Sequence, residues 1–189
     1  KPLIAVTGTN GKTTTTMLIG DIFKNAGYRI KVGGNIGKPL VEIDDANLDF
    51  VIAEISSYQL EAIDKFRPHI ALLLNLTEDH MERYGTINAY GKAKSRIFEN
   101  QMENDFIVYN FDDNNVKEIV KKAPSKLMPF SSRNPLENGL FLNEGYIVRL
   151  NENFVEKVAK ISEIKIKGGH NIENCMAAST AAILCGIPI

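Results

Sequence analysis

Near the start of the chain, Gly8-Thr9-Asn10-Gly11-Lys12-Thr13-Thr14 follows the apolar run Ile4-Ala5-Val6. Glycines at this spacing let main-chain N–H groups approach an anion closely. A helix beginning near Lys12 would aim its positive end at the same anion. A lysine and a hydroxyl in direct succession complete the pattern of a phosphate-binding loop. Lys12 would reach the outer phosphates of a nucleotide, and the Thr13 hydroxyl would sit on Mg2+. The strict pattern G-x-x-x-x-G-K-[ST] is not met, because Val6 holds its first glycine position. The plain alternative is an ordinary strand-to-helix turn. The readable strand before the loop and helix after it favour phosphate binding.

Other residues with chemistry follow later strands. Glu54 closes the apolar run Phe50-Val51-Ile52-Ala53. It is placed to hold Mg2+, or it is a solvated strand-end acid or a helix cap; beside a phosphate loop the metal role is favoured. His80 lies in Thr77-Glu78-Asp79-His80-Met81-Glu82-Arg83-Tyr84. A metal contact fits its position, although Mg2+ prefers oxygen ligands. Glu78, Asp79 and Glu82 are explained equally well by a solvated acidic turn.

Lys94 interrupts an inward-facing helical stripe of Ile87, Tyr90 and Ile97. A buried ammonium needs an acidic partner, a depressed pKa or chemical modification, such as CO2 addition to give an anionic carbamate. From the residues alone, a lysine that snorkels to solvent is favoured. Asn171 and Asn174 share one face at the start of the last helix. They could read an adenine edge, or cap the helix, which explains Asn171 better than Asn174. Gly33-Gly34-Asn35-Ile36-Gly37 does not fit G-x-G-x-x-G. It supports no dinucleotide reading, but Asn35 could donate to a ligand.

The elements that must position these residues alternate. Strands are predicted at Leu3–Thr7, 28–32, Phe50–Ala53, Ile70–Leu76, Phe106–Tyr109 and Leu127–Phe130. Helices are predicted at Lys12–Ala26, with Leu18, Ile22 and Ala26 as its stripe, and at 87–100, 113–122 and 171–185. Apolar strands separated by helices imply an α/β fold of three layers: a mostly parallel, P-loop-type sheet with helices on both faces. Residues 140–166, including Ile161–Ile166, read as a small antiparallel meander. Ligands of such a sheet bind beyond the carboxyl ends of its strands, where the loops above converge.

Composition limits the classes. The chain has 189 residues, 44% hydrophobic and 24% charged, with a net charge of −1. That suits one compact domain and gives no reason to expect nucleic-acid binding. No apolar run reaches the ~20 residues of a membrane span. No signal-peptide pattern is present, so no membrane and a cytoplasmic location are expected. Cys175 and Cys185 fall in one predicted helix, ~15 Å apart along its axis, too far for a disulfide. They read as core residues of a reducing compartment.

The motifs together resemble the Mur ligase family, ATP-dependent amide-forming enzymes of peptidoglycan precursor synthesis. They are Thr7-Gly-Thr-Asn-Gly-Lys-Thr13, Gly33-Gly-Asn-Ile-Gly37, Glu54-Ile-Ser-Ser-Tyr-Gln-Leu-Glu61, Asn75-Leu-Thr-Glu-Asp-His80, Tyr90-Gly-Lys-Ala-Lys94 and His170-Asn-Ile-Glu-Asn174. They run in family order along nearly the whole chain, and the short phosphate loop is normal in that family. The resemblance is to the central ATP-binding domain, spanning 1–189 here. The family's N-terminal UDP-binding and C-terminal amino-acid-binding domains are absent from the chain.

The resemblance implies nucleotide binding by Gly8, Thr9, Asn10, Gly11, Lys12, Thr13, Thr14, Asn171 and Asn174. It implies two Mg2+ sites drawing on Thr13, Glu54, His80 and Lys94, with Lys94 carbamylated by CO2, which reverses the reading from residues alone. Asn35, Ser56, Gln59 and His80 would face a UDP-sugar substrate, and Lys12, His80 and Lys94 would be the catalytic residues. The loops look most like those of members that join D-glutamate to UDP-N-acetylmuramoyl-L-alanine through an acyl phosphate, as monomers. The alternatives are another ligase of the family, a folylpolyglutamate synthetase-like ligase, or a P-loop NTPase that couples hydrolysis to motion.

Overall fold

Strand β1 (Leu3–Thr7) is buried along both faces, so its side chains alternate between two cores rather than between core and water. Ile4 and Val6 enter one core and Ala5 the other. The computed structural model describes residues 1–43, 46–151 and 154–188. Residues 152 and 153, inside the predicted meander, and residue 189, last of the predicted domain, lie outside the described residues.

From β1 the chain passes through α1 (Lys12–Asn25) to β2 (Ile30–Gly34) and β3 (Phe50–Glu54). It continues through α2 (Ser57–Glu61), β4 (Ile70–Leu73), α3 (Met81–Tyr84), α4 (Ile87–Ser95) and β5 (Phe106–Asn110). Then follow α5 (Asn114–Val120), β6 (Lys126–Ser131), β7 (Leu140–Asn143), β8 (Tyr146–Asn151), β9 (Phe154–Lys160) and α6 (Gly169–Leu184). One sheet holds the strands in the order β2-β3-β1-β4-β5-β6-β7-β8-β9. Pairing is parallel from β2 through β7 and antiparallel from β7 to β9.

Helices α1 and α6 cover one face, where Phe23 meets Phe50 edge-on at 4.8 Å. Small residues of α6, Ala177, Ala178, Ala181 and Ala182, are fully buried there and let the helix lie close to the sheet. Leu60, Tyr90 and Val116, from α2, α4 and α5, cover the other face. This is the three-layer arrangement that the alternation of strands and helices implies. The connection after β1 runs toward β2, and that after β3 crosses back to β4. The loops therefore leave neighbouring strand ends in opposite directions and open a crevice.

Several expectations change. The meander is present as β7 to β9, paired antiparallel, and β7 also pairs with β6, so that it carries the main sheet onward. Ile161–Ile166 forms no strand; Ile161–Glu163 is a 3-10 turn whose first N–H donates to the Gly145 carbonyl at the hairpin tip. The buried row of α1 is Thr15, Thr16, Ile19, Gly20 and Phe23, with Leu18 and Ile22 on its flank and Ala26 exposed, because α1 also packs on α6. Strand β4 stops at Leu73, although Leu74 and Leu76 stay buried in the loop beyond. The helix predicted to reach residue 100 tightens into a 3-10 turn at Arg96–Phe98. Both cysteines are free, as expected, but only half-buried.

At the end of β2, Gly34 has φ +100°, and a Cβ there would lie 2.3 Å from the Glu54 carbonyl oxygen. The same oxygen accepts the Asn35 N–H at 2.8 Å. We expect Gly34→Ala to lose about 2 kcal/mol or more of stability in urea unfolding. An unchanged midpoint would show that this turn needs no glycine.

Candidate active site

The phosphate loop leaves β1 beside the end of β4 and is bonded to the loop that follows β4. Thr9 N–H donates to the Asn75 carbonyl at 3.1 Å. Asn10 N–H donates to Asn75 Oδ1 at 2.8 Å, and Asn75 Nδ2 donates back to the Asn10 carbonyl at 3.0 Å. The N–H groups of Thr9 and Asn10 are thus engaged. Bonding within α1 begins with Thr15 N–H to the Gly11 carbonyl at 2.9 Å. The N–H groups of Gly11, Lys12, Thr13 and Thr14 have no intrahelical acceptor and form the anion-facing helix end. Gly11 has φ +82°, and a Cβ there would stand 2.4 Å from Asn174 Oδ1. Lys12 folds over the loop and donates to the carbonyls of Gly8 and Thr9 at 3.0 and 2.7 Å.

Glu54 ends β3 and is 2% exposed. Its Oε2 accepts from Thr13 Oγ1 at 2.7 Å, and its Oε1 accepts from Asn35 Nδ2 at 2.8 Å. The solvated-acid reading therefore does not hold. A buried carboxylate partnered by a hydroxyl at the phosphate loop is a hard oxygen donor set, and such a set fits Mg2+. No group of three or more His, Cys, Asp or Glu that could hold a metal occurs among the described residues. Most of the coordination would come from phosphate oxygens and water, as is usual for Mg2+.

Lys94 does not snorkel. It is 1% exposed, donates to the Gly8 carbonyl at 2.9 Å, and lies 4.4 Å above the Tyr90 ring. Burial first, and the Lys12 charge second, pull its pKa from 10.5 down to about 7. An amine in that state is a mixture of its charged and free forms at neutral pH, and the free form is nucleophilic.

His80 caps α3 in the left-handed conformation, φ 54°. Its ring meets Tyr58 at 5.1 Å and Tyr90 at 6.2 Å. Its nitrogens stand 3.6 Å from Asp79 and 3.7 Å from Glu82. His80 and Lys94 thus have the Tyr90 ring as a common neighbour.

Ser56 and Gln59 form a capping box on α2. Gln59 N–H donates to Ser56 Oγ, and Ser56 N–H donates to Gln59 Oε1 at 2.9 Å. Asn171 is not a helix cap, because α6 starts at Gly169; its Nδ2 donates to the Lys167 carbonyl at 2.8 Å. Asn174 Nδ2 donates to Asn171 Oδ1 at 3.1 Å, and Thr15 Oγ1 donates to Asn174 Oδ1 at 3.2 Å. Asn174 therefore ties α6 to α1. A cavity of about 390 Å3 opens between Asn10 and Gly11 of the phosphate loop, Phe130, and His170, Glu173 and Asn174 of α6. Sequence reasoning gave Asn75 and Thr9 no bracing role. The only available signal was a polar residue directly after the most apolar strand.

Residues 6–182 match the family described as "Mur ligase middle domain". The chain is 45% identical over 190 residues to UDP-N-acetylmuramoylalanine--D-glutamate ligase of Caldanaerobacter subterraneus subsp. tengcongensis, with 100% of this chain and 41% of that protein covered. It is 48% identical over 189 residues to the protein of the same name from Thermoanaerobacter sp. (strain X514), covering 98% and 41%. The chain thus spans about two fifths of the length of these curated relatives. Among solved structures, a UDP-N-acetylmuramoyl-L-alanyl-D-glutamate--2,6-diaminopimelate ligase superposes with TM-score 0.76 at 28% identity, covering 98% of this chain and 44% of that one. A MurF ligase from Thermotoga maritima in complex with ADP gives TM-score 0.71 at 21% identity, covering 98% and 45%, a likeness of fold alone.

The Lys94 amine yields a signed expectation. Between pH about 7 and 10.5 the unfolded chain binds a proton there that the folded chain does not, so folding gains stability as pH rises. Lys94→Met lacks that gain. In bicarbonate-free buffer, the stability of Lys94→Met relative to the parent should therefore fall by about 1.4 kcal/mol per pH unit across this window. A pH-independent difference in urea unfolding would show ordinary basicity at Lys94.

Proposed function

Because the chain belongs to the Mur ligase family, as its middle domain, we propose that it is the ATP-binding part of an ADP-forming ligase that adds D-glutamate to UDP-N-acetylmuramoyl-L-alanine. The observation that carries this reading is the Thr13–Glu54 pair on the phosphate loop, in a chain whose relatives at 45% and 48% identity carry that activity in their names. In this reading the enzyme is a cytoplasmic monomer of peptidoglycan synthesis. Flanking domains complete the UDP and amino-acid sites, so these 189 residues alone do not ligate.

The reaction must bring two anions together, a γ-phosphate and the L-alanyl carboxylate. The N–H groups of Gly11 to Thr14 hold the phosphates, and Lys12 swings from the Gly8 and Thr9 carbonyls onto the outer ones. The carboxylate takes the γ-phosphoryl group and ADP leaves. The amine of D-glutamate then attacks the acyl phosphate, and the tetrahedral adduct collapses to amide and phosphate. Thr13 and Glu54 would hold one Mg2+, and His80 with carbamylated Lys94 a second; the ions supply charge neutralisation when bound. The lowered pKa of the buried Lys94 amine supports carbamylation, since CO2 adds only to a free amine. Asn35, Ser56, Gln59 and His80 face the UDP-substrate, the first braced by Glu54 and the next two by their capping box. Asn174 lines the cavity beside the loop, where adenine would sit, and Asn171 accepts from its Nδ2 and orients it.

Phosphate release by the intact enzyme should require ATP, UDP-N-acetylmuramoyl-L-alanine and D-glutamate together. Equal rates with L-alanine or a diamino acid would refute the choice of substrate. Thr13→Val should lower kcat/KM by about 10²-fold or more, since it removes a hydroxyl from developing charge. Native mass spectrometry should find a labile adduct of about 44 Da on Lys94, an added acid group that reverses its charge. Turnover by the 189-residue chain alone would contradict the requirement for flanking domains.

A further inference from the structure

Three exposed residues, Thr77, Glu78 and Asp79, separate His80 from Leu76, the last buried residue after β4. Leu76 is gripped from the side of α5. Its N–H donates to Asp113 Oδ2 at 2.7 Å, and its carbonyl accepts from Asn115 Nδ2 at 3.3 Å. Thr77 is gripped by the phosphate loop. Its N–H donates to Thr9 Oγ1 at 3.1 Å, and Thr9 Oγ1 donates to the Thr77 carbonyl at 3.2 Å. Consecutive residues are therefore held by two different elements, and the segment bearing His80 hangs from them.

We propose that Asp113 is a positioning residue: through Leu76 it sets the His80-bearing segment against the phosphate loop and touches no substrate itself. The inference rests on the function proposed above. A carboxylate is suited to the task because it accepts on both sides. Its Oδ1 takes the N–H groups of Asn115 and Val116, at 2.9 and 3.1 Å, as the cap of α5. Its Oδ2 remains free to grip a distant loop. Asparagine caps as well as aspartate does, but it would present an NH2 donor to the Leu76 N–H. Asp113→Asn therefore keeps the cap and breaks the grip. Asp113→Ser also keeps a capping oxygen and is too short to reach Leu76. The phosphate loop keeps its own bonds to Asn75 in both variants.

The test is steady-state kinetics of the intact enzyme. Both variants should lose about 10-fold or more in kcat/KM for the UDP-substrate, as expected when a reacting group is misplaced. The KM for ATP should stay within about twofold, because the nucleotide loop is braced separately. Asn115→Ala, which removes only the longer bond, should lose less. Unchanged constants overturn the inference. So does a parallel fall in both substrates' constants that tracks lost thermal stability, since that marks a merely structural role. If the wild-type enzyme releases no phosphate with these substrates, the proposed function fails, and amide hydrogen exchange decides the inference separately. Asp113→Asn must then speed exchange at Thr77–His80 and leave Thr9, Asn10 and Thr15, whose N–H groups are bonded to Asn75 and Gly11, protected as before; equal protection at Thr77–His80 overturns it.

Discussion

Two lysine amines share one carbonyl oxygen. Lys12 and Lys94 both donate to Gly8 O, at 3.0 and 2.9 Å, at a turn with almost no side-chain mass of its own. Two ammonium groups that close repel each other, and the buried one is the costlier to keep charged. Lys94 therefore yields its proton more readily, while Lys12 stays at the loop surface. An anion placed before the helix end relieves the crowding, because it draws Lys12 away from the shared oxygen. The loop is thus poised for a phosphate by the fold's own electrostatics.

A glycine turn cannot be held by hydrophobic packing, so hydrogen bonds from several elements hold it. Asn75 and Thr77 brace it from the end of β4, and Lys94 braces it from α4. Glu54 reaches the first turn of α1 from β3, and Asn174 reaches it from α6. These partners are far apart along the chain. The site exists only once β3, β1 and β4 lie side by side and the helices have closed over both faces. That dependence ties catalysis to the sheet: a fault at the edge of β2, such as strain at Gly34, travels to Glu54 through the Asn35 bonds.

Much of this was legible in the sequence because strand ends announce themselves. The apolar run before Gly8 and the one before Glu54 located the phosphate loop and its carboxylate. Hydrophobic periodicity located β1, α1, β2, β3, β4 and α4 in the first half, but not the short helices α2 and α3, which are too brief to show a period. The rest depends on contacts that periodicity does not encode. Whether Lys94 snorkels or buries is decided by Tyr90 and Gly8, which lie far from it in sequence or on its own helix face. The run Ile161–Ile166 looks like a strand until its first N–H is taken by a hairpin tip. Asn171 looks like a cap until Gly168 and Gly169 start the helix before it. The grips of Asn75 and Asp113 act on main-chain groups of distant residues, and main-chain groups leave no trace in residue type.

The account stands on Glu54 and the phosphate loop acting as one magnesium-dependent nucleotide site. Calorimetric titration of the 189-residue chain with a non-hydrolysable ATP analogue, with and without Mg2+, tests it most directly when repeated on Glu54→Gln. The account requires Mg2+ to tighten binding to the parent and to lose most of that effect in the variant, with magnesium-free affinity retained. An equal gain from Mg2+ in both proteins would contradict it.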